Sequence, residues 1–374
     1  MHWMTGWGRS AVATRLAALS SCALALGAVG CDGLRYVGHL LDGQFAIEAN
    51  TEPIDQVLAS GRLSEADAAK LRLVVEARQF AIDQIGLSAG QSYTTFHDTE
   101  GKPLVYNLSA SRKDALVAYE WSFPIVGSFP YIGFFDEAYL NEVEQDLIDQ
   151  GYDTFTYQPD AYSTLGLRAD PVRSPMLKRD DVSLIDTIIH EVLHNTIWRP
   201  NDFTFNETMA TFVGRQGAVE FLERRGAAGQ ALIERARARY ADDAKLNDFL
   251  ISLFNELKSY YDQPGDREAK IAGREAVFER GRERFRTSVQ PTLSRPEAYN
   301  YYAELPANNA FILLFARYNY DLSKFEAVYA ATGRSWPRTL EVFRGAARAG
   351  GDPFAYLDRW LAENAPASQP AVGG

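Results

Sequence analysis

Histidine and cysteine are both scarce in this chain. Its 374 residues include five histidines and two cysteines. No histidine follows His194, so a protein ligand for a metal downstream of that position has to be an Asp or Glu side chain. Both cysteines, Cys22 and Cys31, lie near the N-terminus. If the chain is cut before Cys31, a single cysteine remains, and an intrachain disulfide is excluded even in an oxidising compartment.

Positive charge is also in short supply. The formal net charge is −11 and the pI is about 5.1. Binding to a phosphate backbone requires clustered Lys and Arg side chains, so this composition argues against nucleic acid as a main partner. Hydrophobic residues make up 46% of the chain and charged residues 23%, which is typical of soluble globular proteins. The length allows one large domain or two of modest size.

The N-terminus has the features of a targeting segment. Arg9 and Arg15 provide positive charge, and an apolar run without acidic residues extends from Leu16 to Gly30. This run is too short to span a membrane comfortably. We therefore predict a signal peptide over residues 1–30.

The end of this segment predicts a lipid anchor. The sequence Ala28-Val29-Gly30-Cys31 resembles a bacterial lipobox, in which the cysteine is acylated and becomes the first residue. Cys31 is then the lipidation site, and residues 31–50 form the anchor and tether. The protein would face the periplasm of a bacterial cell envelope, and Asp32 favours the inner membrane. An ordinary cleaved signal peptide is the alternative.

Residues 51–365 form the predicted folded domain. The pattern from Thr51 to Ile85 is helical, with a break at Gly61 and a second helix start at Ser64. From Val182 onward the pattern is again helical, and residues 366–374 predict a disordered tail. Between these regions, short aromatic and β-branched runs predict strands at 92–97, 104–109, 115–121, 129–135, 153–158 and 162–167.

The order of these elements predicts the fold class. Strands followed by helices, without alternation, indicate an α+β fold rather than a doubly wound one. We expect a small sheet over residues 90–170, two active-site helices over 182–225, and a largely helical C-terminal part.

The sequence His190-Glu191-Val192-Leu193-His194 is the strongest functional signal. On a helix, residues four apart share one face, so the two imidazoles can converge on one metal ion with Glu191 beside them. Apolar residues surround the motif, Ser183 is a candidate N-cap, and Pro200 ends the run. The alternative is a pair of core histidines that are satisfied by hydrogen bonds.

The third ligand decides the class of metal site. A third His six residues after His194 would indicate a metzincin, but that position is Pro200. Glu207 is the best candidate, in the first turn of a second helix antiparallel to the first, which gives the His₂Glu set of a zinc enzyme. Thr204 and Glu207 also fit a capping box, so Glu207 could instead close a helix end.

Three protein ligands leave a zinc ion (Zn2+) with an open position for water. The ion would activate this water and polarise the scissile carbonyl, while Glu191 acts as general base. Tyr302 is a candidate for stabilising the oxyanion, together with Tyr299 and Tyr301, although ordinary half-buried tyrosines are the alternative.

The whole chain resembles the bacterial family called putative or predicted aminopeptidases, which are gluzincin-like and often lipoproteins. The resemblance covers most of residues 31–345. Val192-Leu193 departs from the usual Leu-Ala, and Asn195 from the usual Gln. The matching blocks, in order, are Phe123-Pro124-Ile125-Val126-Gly127, Pro130-Tyr131 with Gly133 and Phe135-Asp136, Tyr162-Ser163-Thr164-Leu165-Gly166, Asp170-Pro171-Val172, Ser174-Pro175-Met176-Leu177, residues 190–194, Phe205-Asn206-Glu207 with Ala210-Thr211, and Asn308-Asn309-Ala310.

The resemblance implies an aminopeptidase that acts on short peptides, and with the metal motif it leads us to expect a zincin-like catalytic domain. Acids in the helices after the motif, such as Glu220, Glu223, Asp242 and Asp243, would favour a protonated amino terminus. A zinc endoprotease is one alternative, since the Gly-x-Met-Glu-Asn motif that grips a substrate N-terminus is absent. A non-catalytic envelope lipoprotein with a structural metal site is another.

Overall fold

The computed structural model describes residues 35–36, 38–39, 50–101, 105–123, 127–158, 169–317 and 321–364. Several predictions concern residues outside these ranges: the signal peptide, Cys31 and Asp32, the strand at 162–167 and the tail at 366–374. Among the helices of the described residues, none combines the length and the apolar composition that a membrane span requires.

Two helices near the start of the domain confirm the sequence prediction. They are α1 Ile54–Ser60 and α2 Glu65–Phe80, with a π-helical extension Ala81–Ile85. Gly61 ends α1 with φ at 66°, a left-handed conformation that glycine adopts without a Cβ clash. Ser64 caps α2 by accepting a hydrogen bond from the backbone N–H of Asp67. The residues just before α1 form a short strand instead of the predicted helix.

The strands of the described residues form three small sheets rather than one. They are β1 Thr51–Pro53, β2 Thr95–His97, β3 Tyr106–Arg112, β4 Trp121–Phe123, β5 Gly127–Phe129, β6 Ile132–Phe134, β7 Tyr152–Tyr157 and β8 Val172–Arg173. The first sheet has the order β1-β2-β8, with β1 antiparallel and β8 parallel to β2. The second has the order β6-β3-β7 and is antiparallel, and β4 and β5 form an antiparallel pair. Both β1 and β8 lie outside the predicted range of 90–170.

The predicted strand at 115–121 is wrong over most of its length. Only Trp121 enters a strand, and Ala118 makes one isolated bridge. The segment pairs with β3 only around Ala118, where the backbone N–H of Arg112 donates to Val117 and that of Tyr119 donates to Ala110. The Nδ2 of Asn309 bonds the preceding turn, donating to the carbonyl of Arg112 at 2.9 Å.

The described chain from Asp181 onward is mainly helical, as predicted, whereas the helix at Glu137–Asp149 lies in the region expected to form the sheet and was not predicted. The α-helices are α3 Glu137–Asp149, α4 Asp181–His194, α5 Phe203–Glu223, α6 Ala227–Tyr261, α7 Arg267–Arg284, α8 Asn300–Ala303, α9 Asn309–Arg317, α10 Ser323–Ala331, α11 Trp336–Arg348 and α12 Pro353–Asn364. Shorter 3₁₀ or π turns are Ser174–Lys178, Phe285–Val289, Gln290–Thr292 and Pro296–Tyr299. This mixture of helices and small sheets is compatible with the α+β expectation.

Helix α4 lies at the centre of the largest hydrophobic core. It packs against α2, α5 and α6, and the residues of its wide apolar face, such as Ile185, Ile188 and Val192, are fully buried. A helix with such a face has to be covered by other elements. The hydrophobic effect thus fixes the position of α4, and thereby also the positions of the residues at its C-terminal end.

Two residues of the predicted tether lie on the folded domain. The hydroxyl of Tyr36 donates to the carbonyl of Gly133 at 2.9 Å, and Tyr36 is buried. Arg35 forms a paired ion contact with Glu142, with both distances at 2.8 Å. The chain is therefore attached to the second sheet and α3 only four residues after Cys31.

Candidate metal centre

Helix α4 carries the two histidines of the motif at its C-terminal end. Its N-cap is Asp180, which accepts a hydrogen bond from the backbone N–H of Ser183 at 3.0 Å. The predicted cap at Ser183 is therefore wrong, because an acidic side chain three residues earlier satisfies that donor. The helix ends at His194, and the backbone N–H of Ile197 donates back to Leu193.

Helix α5 carries the third candidate ligand. Asp202 caps this helix by accepting from the backbone N–H of Phe205 at 3.1 Å. Glu207 therefore lies in the second turn rather than the first, and the predicted capping box with Thr204 is wrong. Since Asp202 satisfies the helix end, the carboxylate of Glu207 is available for another role.

A buried asparagine fixes the turn between the two helices. The Oδ1 of Asn206 accepts from the backbone N–H of Arg199 at 2.8 Å, and its Nδ2 donates to the Arg199 carbonyl at 2.7 Å. The Arg199 side chain donates in turn to backbone carbonyls before α12, at 2.8 Å for Ala349. The turn between α4 and α5, which sets the position of Glu207 relative to α4, is thus held by Asn206 and by the side chain of Arg199.

The three candidate ligands converge as a triangle of side chains, whose third corner is the Glu207 carboxylate, with a different oxygen facing each histidine. The two Nε2 atoms of His190 and His194 are 3.2 Å apart. The Oε2 of Glu207 is 3.3 Å from His190 Nε2, and its Oε1 is 3.3 Å from His194 Nε2. Tetrahedral zinc with bonds of about 2.05 Å requires ligand atoms separated by about 3.3 Å. The donor types and their spacing therefore fit a zinc ion.

The charges of the triangle also suit a cation. Burial acts to raise the pKa of Glu207, but hydrogen bonds from both histidines hold the pKa well below its usual value. Burial lowers the pKa of His190, yet Glu207 and the nearby carboxylates outweigh it and raise the pKa to about 9. Without a metal, the site thus holds a proton close to an ionised carboxylate, and a divalent cation could replace that proton.

Glu191 follows the first histidine and completes the group. Its Oε2 is buried and has no hydrogen-bond partner among the described residues. A buried carboxylate oxygen without a partner is costly, so such an atom indicates an absent water or substrate group. The negative charge of Glu191 is also close enough to His190 to raise the pKa of that imidazole.

The close approach of α4 and α5 depends on Gly214, which lies on α5 two turns after Glu207. A Cβ at this position would lie 2.9 Å from the carbonyl oxygen of Asp186 and 3.1 Å from the Cβ of His190. Real Cβ atoms essentially never approach backbone atoms below 3.0 Å, so a larger residue would push the helices apart. The absence of a side chain at Gly214 thus sets the distance across the triangle.

Asp186 lies one helical turn before His190 and is not among the predicted site residues, although its spacing of four from His190 places both on one helix face. Burial raises its pKa, and the positive charges of Arg215, His190 and Arg239 oppose that rise. The hydroxyl of Tyr240 donates to its carboxylate at 3.3 Å, and Arg239 lies 3.6 Å away. These contacts attach the long helix α6 to the helix that carries the motif.

Tyr302 lies in a different cluster from the triangle. Its ring packs against Phe285, Phe311 and Phe315, in the second hydrophobic core formed by α6, α7 and α9. Its described contacts include no residue of the triangle. The structure therefore gives its proposed role no support, and that role stays a prediction.

The four acids expected to surround a substrate amine have partners elsewhere. Glu220 accepts hydrogen bonds from Tyr329 and Trp336, at 2.5 and 2.8 Å. Asp242 accepts from the backbone N–H of Ser294 at 2.9 Å. The two others form ion pairs, Asp243 with Arg215 and Glu223 with Arg237. These four carboxylates therefore bond neighbouring elements of the protein itself.

Comparison with protein families identifies one matching family. The model of the family described as "Putative aminopeptidase" matches residues 35–350, which is most of the chain. The chain belongs to this family. The match includes both helices that carry the triangle, and the family name indicates a peptidase. No curated protein and no solved structure matches the sequence.

The close approach of α4 and α5 at Gly214 predicts that Gly214→Ala weakens metal binding. Because the added Cβ has to displace α5 from α4, the distances across the triangle should grow, and zinc affinity should fall by about tenfold or more. The measurement is competition for zinc with a chromophoric chelator, together with the melting temperature. The matched control is Gly350→Ala, since a Cβ there has nothing within 4 Å. Equal zinc affinity in both variants would contradict the argument.

Proposed function

We propose that this member of the family is a zinc-dependent peptidase of the gluzincin type, with a zincin-like catalytic domain. The observation that carries the proposal is the triangle of His190, His194 and Glu207, with donor separations of 3.2 to 3.3 Å, beside the buried and unpaired Oε2 of Glu191. The spacing suits a zinc ion, and the free oxygen suits a general base.

The chemistry follows from the positions of these groups. When bound, the zinc ion would lower the pKa of a water molecule and polarise the scissile carbonyl. The carboxylate of Glu191 would accept the proton of the attacking water and pass it to the nitrogen of the leaving amine. The buried setting of Oε2 keeps bulk water from competing for that proton.

A purely structural metal site is the main competing function. Structural zinc sites are usually closed by four protein ligands, and they need no base. Among the described residues, the group of possible ligands consists of His190, His194 and Glu207. A three-ligand set with an unpaired carboxylate beside it favours catalysis.

The family description is what supports the exopeptidase mode. The four acids expected to surround a substrate amine do not support it, since they have partners elsewhere. We propose cleavage of short peptides from the amino end. A zinc endoprotease would use the same triangle and the same base, so only substrates distinguish the two modes.

The proposed location is the periplasmic face of the inner membrane, through acylation of Cys31. The attachment of Arg35 and Tyr36 to the folded domain supports a short tether. Four extended residues span at most about 14 Å. A lipid on Cys31 would then hold the domain close to the bilayer surface.

The first prediction separates metal binding from catalysis. Purified protein should carry about one zinc per chain, and Glu207→Ala should lose most of it because a ligand is missing. Glu191→Gln should keep the zinc, yet lose about a hundredfold or more of its activity, because an amide cannot accept the proton. Zinc content by mass spectrometry and hydrolysis of a peptide panel are the measurements. An active Glu191→Gln variant would refute the mechanism.

A second prediction concerns the cleavage mode. A set of peptides with one sequence should be tested with free and with acetylated amino termini. An aminopeptidase releases the first residue from the free form only, because acetylation removes the charged amine that marks the chain end. Mass spectrometry of the products measures the difference. Equal cleavage of both forms would exclude the aminopeptidase mode and leave the zinc peptidase standing.

A third prediction concerns the anchor. Wild-type protein should incorporate labelled fatty acid and fractionate with membranes, whereas Cys31→Ser should do neither. Stable attachment implies more than one acyl chain, because a single chain binds a bilayer only marginally. Soluble wild-type protein in the periplasm would support the ordinary signal peptide instead.

A further inference from the structure

The side chain of Arg199 joins the end of α11 to the turn that leads to Glu207. Its Nη1 donates to the carbonyls of Ala347 and Ala349 at 3.1 and 2.8 Å, and its Nη2 donates to the carbonyl of Gly351 at 2.5 Å. The carbonyl of Ala347 belongs to the last turn of α11, where carbonyls have no partner within the helix. The guanidinium thus caps α11 and offsets the negative end of the helix dipole.

The same guanidinium is bonded to the start of α5. The Nε of Arg199 donates to the Oδ2 of Asp202 at 3.1 Å, while the Oδ1 of Asp202 accepts from the backbone N–H of Phe205. One carboxylate therefore caps α5 and holds the guanidinium. Because a guanidinium presents five donors in fixed directions, it can bind the carboxylate and the carbonyls together, which the ammonium of a lysine cannot reproduce.

A second contact joins the C-terminal helices to the same turn of α5. The rings of Phe205 and Phe354, which lies on α12, pack edge to face with their centroids 5.6 Å apart. Phe205 is fully buried and lies two residues before Glu207. The first turn of α5 is therefore bound to the end of α11 by polar contacts and to α12 by an apolar one.

The backbone of Arg199 extends this connection to the candidate ligand. Both its N–H and its carbonyl are bonded by the side chain of Asn206, at 2.8 and 2.7 Å, and Asn206 directly precedes Glu207. The carboxylate oxygens of Glu207 lie 3.3 Å from the two Nε2 atoms of the triangle. A displacement of Arg199 would therefore move Asn206 and change the spacing of the ligand atoms.

We propose that Arg199 is a positioning residue through which the helices α11 and α12 set the position of Glu207, and hence the zinc affinity of the triangle. This inference rests on the proposed function, since it takes the triangle as a zinc site. The competing explanation is that Arg199 only attaches the C-terminal helices. In that case its replacement lowers the melting temperature and leaves the zinc affinity unchanged, so the affinity distinguishes the two explanations.

The first experiment compares Arg199→Lys with Arg282→Lys by competition for zinc with a chromophoric chelator. Arg282, on α7, is a matched control, because it also donates to a backbone carbonyl, that of Leu305 at 2.8 Å, and to a carboxylate, that of Glu279. The zinc dissociation constant should rise by about tenfold or more in Arg199→Lys, as for other residues that support metal ligands. In Arg282→Lys it should stay within about twofold of wild type, the range of ordinary substitutions. A change within that range in Arg199→Lys would overturn the proposal.

The second experiment measures the reverse effect, because coupling between two sites acts equally in both directions. Zinc should slow amide hydrogen exchange in residues 343–352 of the wild-type protein, relative to chelated protein and to the segment 275–285 of α7. In Arg199→Lys this zinc-dependent protection should largely disappear. Mass spectrometry of the peptides gives the exchange without any measurement of turnover. Equal protection by zinc in both proteins would overturn the proposal.

The remaining outcomes separate this proposal from the proposed function. If wild-type protein binds zinc but cleaves no peptide, the peptidase function fails, while the zinc affinities still decide the role of Arg199. If wild-type protein binds no zinc, both are overturned. If Arg199→Lys does not fold, Asp202→Asn replaces it, because asparagine keeps the helix cap and removes the charge that holds the guanidinium. A folded Asp202→Asn variant with wild-type zinc affinity would then contradict the proposal.

Discussion

The candidate site depends on how closely α4 and α5 approach each other. Gly214 leaves no Cβ between the two helices, and the space is filled by Asp186 and by His190. One turn further along α5, Gly217 leaves similar space for Ile85 and Ile189. Because the helices are in contact along this line, a carboxylate on one helix reaches both imidazoles on the other. The hydrophobic core around α4 maintains that contact.

This geometry places several charged groups in a buried setting. Burial lowers the pKa of His190, but Glu207, and after it Glu191 and Asp186, raise that pKa to about 9. A divalent cation would neutralise such a cluster better than one proton can. The two histidines and the proposed base thus depend on α4 for their positions, whereas Glu207 depends on α5.

Local patterns in the sequence predicted much of this arrangement. The spacing of His190 and His194 places both on one face of a helix. The short turn after this helix allows Glu207 to lie close to them, so the triangle could be predicted. The helix caps at Asp180 and Asp202 were missed because a competing Ser or Thr stood nearby. Contacts between distant segments carry no local pattern. The close contact at Gly214 and the short pairing of the segment 115–121 are therefore visible only in three dimensions.

X-ray absorption at the zinc edge of the purified protein tests the central claim most directly. If the triangle holds the metal, the spectrum should show imidazole nitrogens and oxygens at about 2.0–2.2 Å, no sulfur, and about four ligands in total. His190→Ala should weaken the imidazole scattering. Zinc coordinated by sulfur, coordinated by six oxygens, or unchanged in His190→Ala would contradict the account.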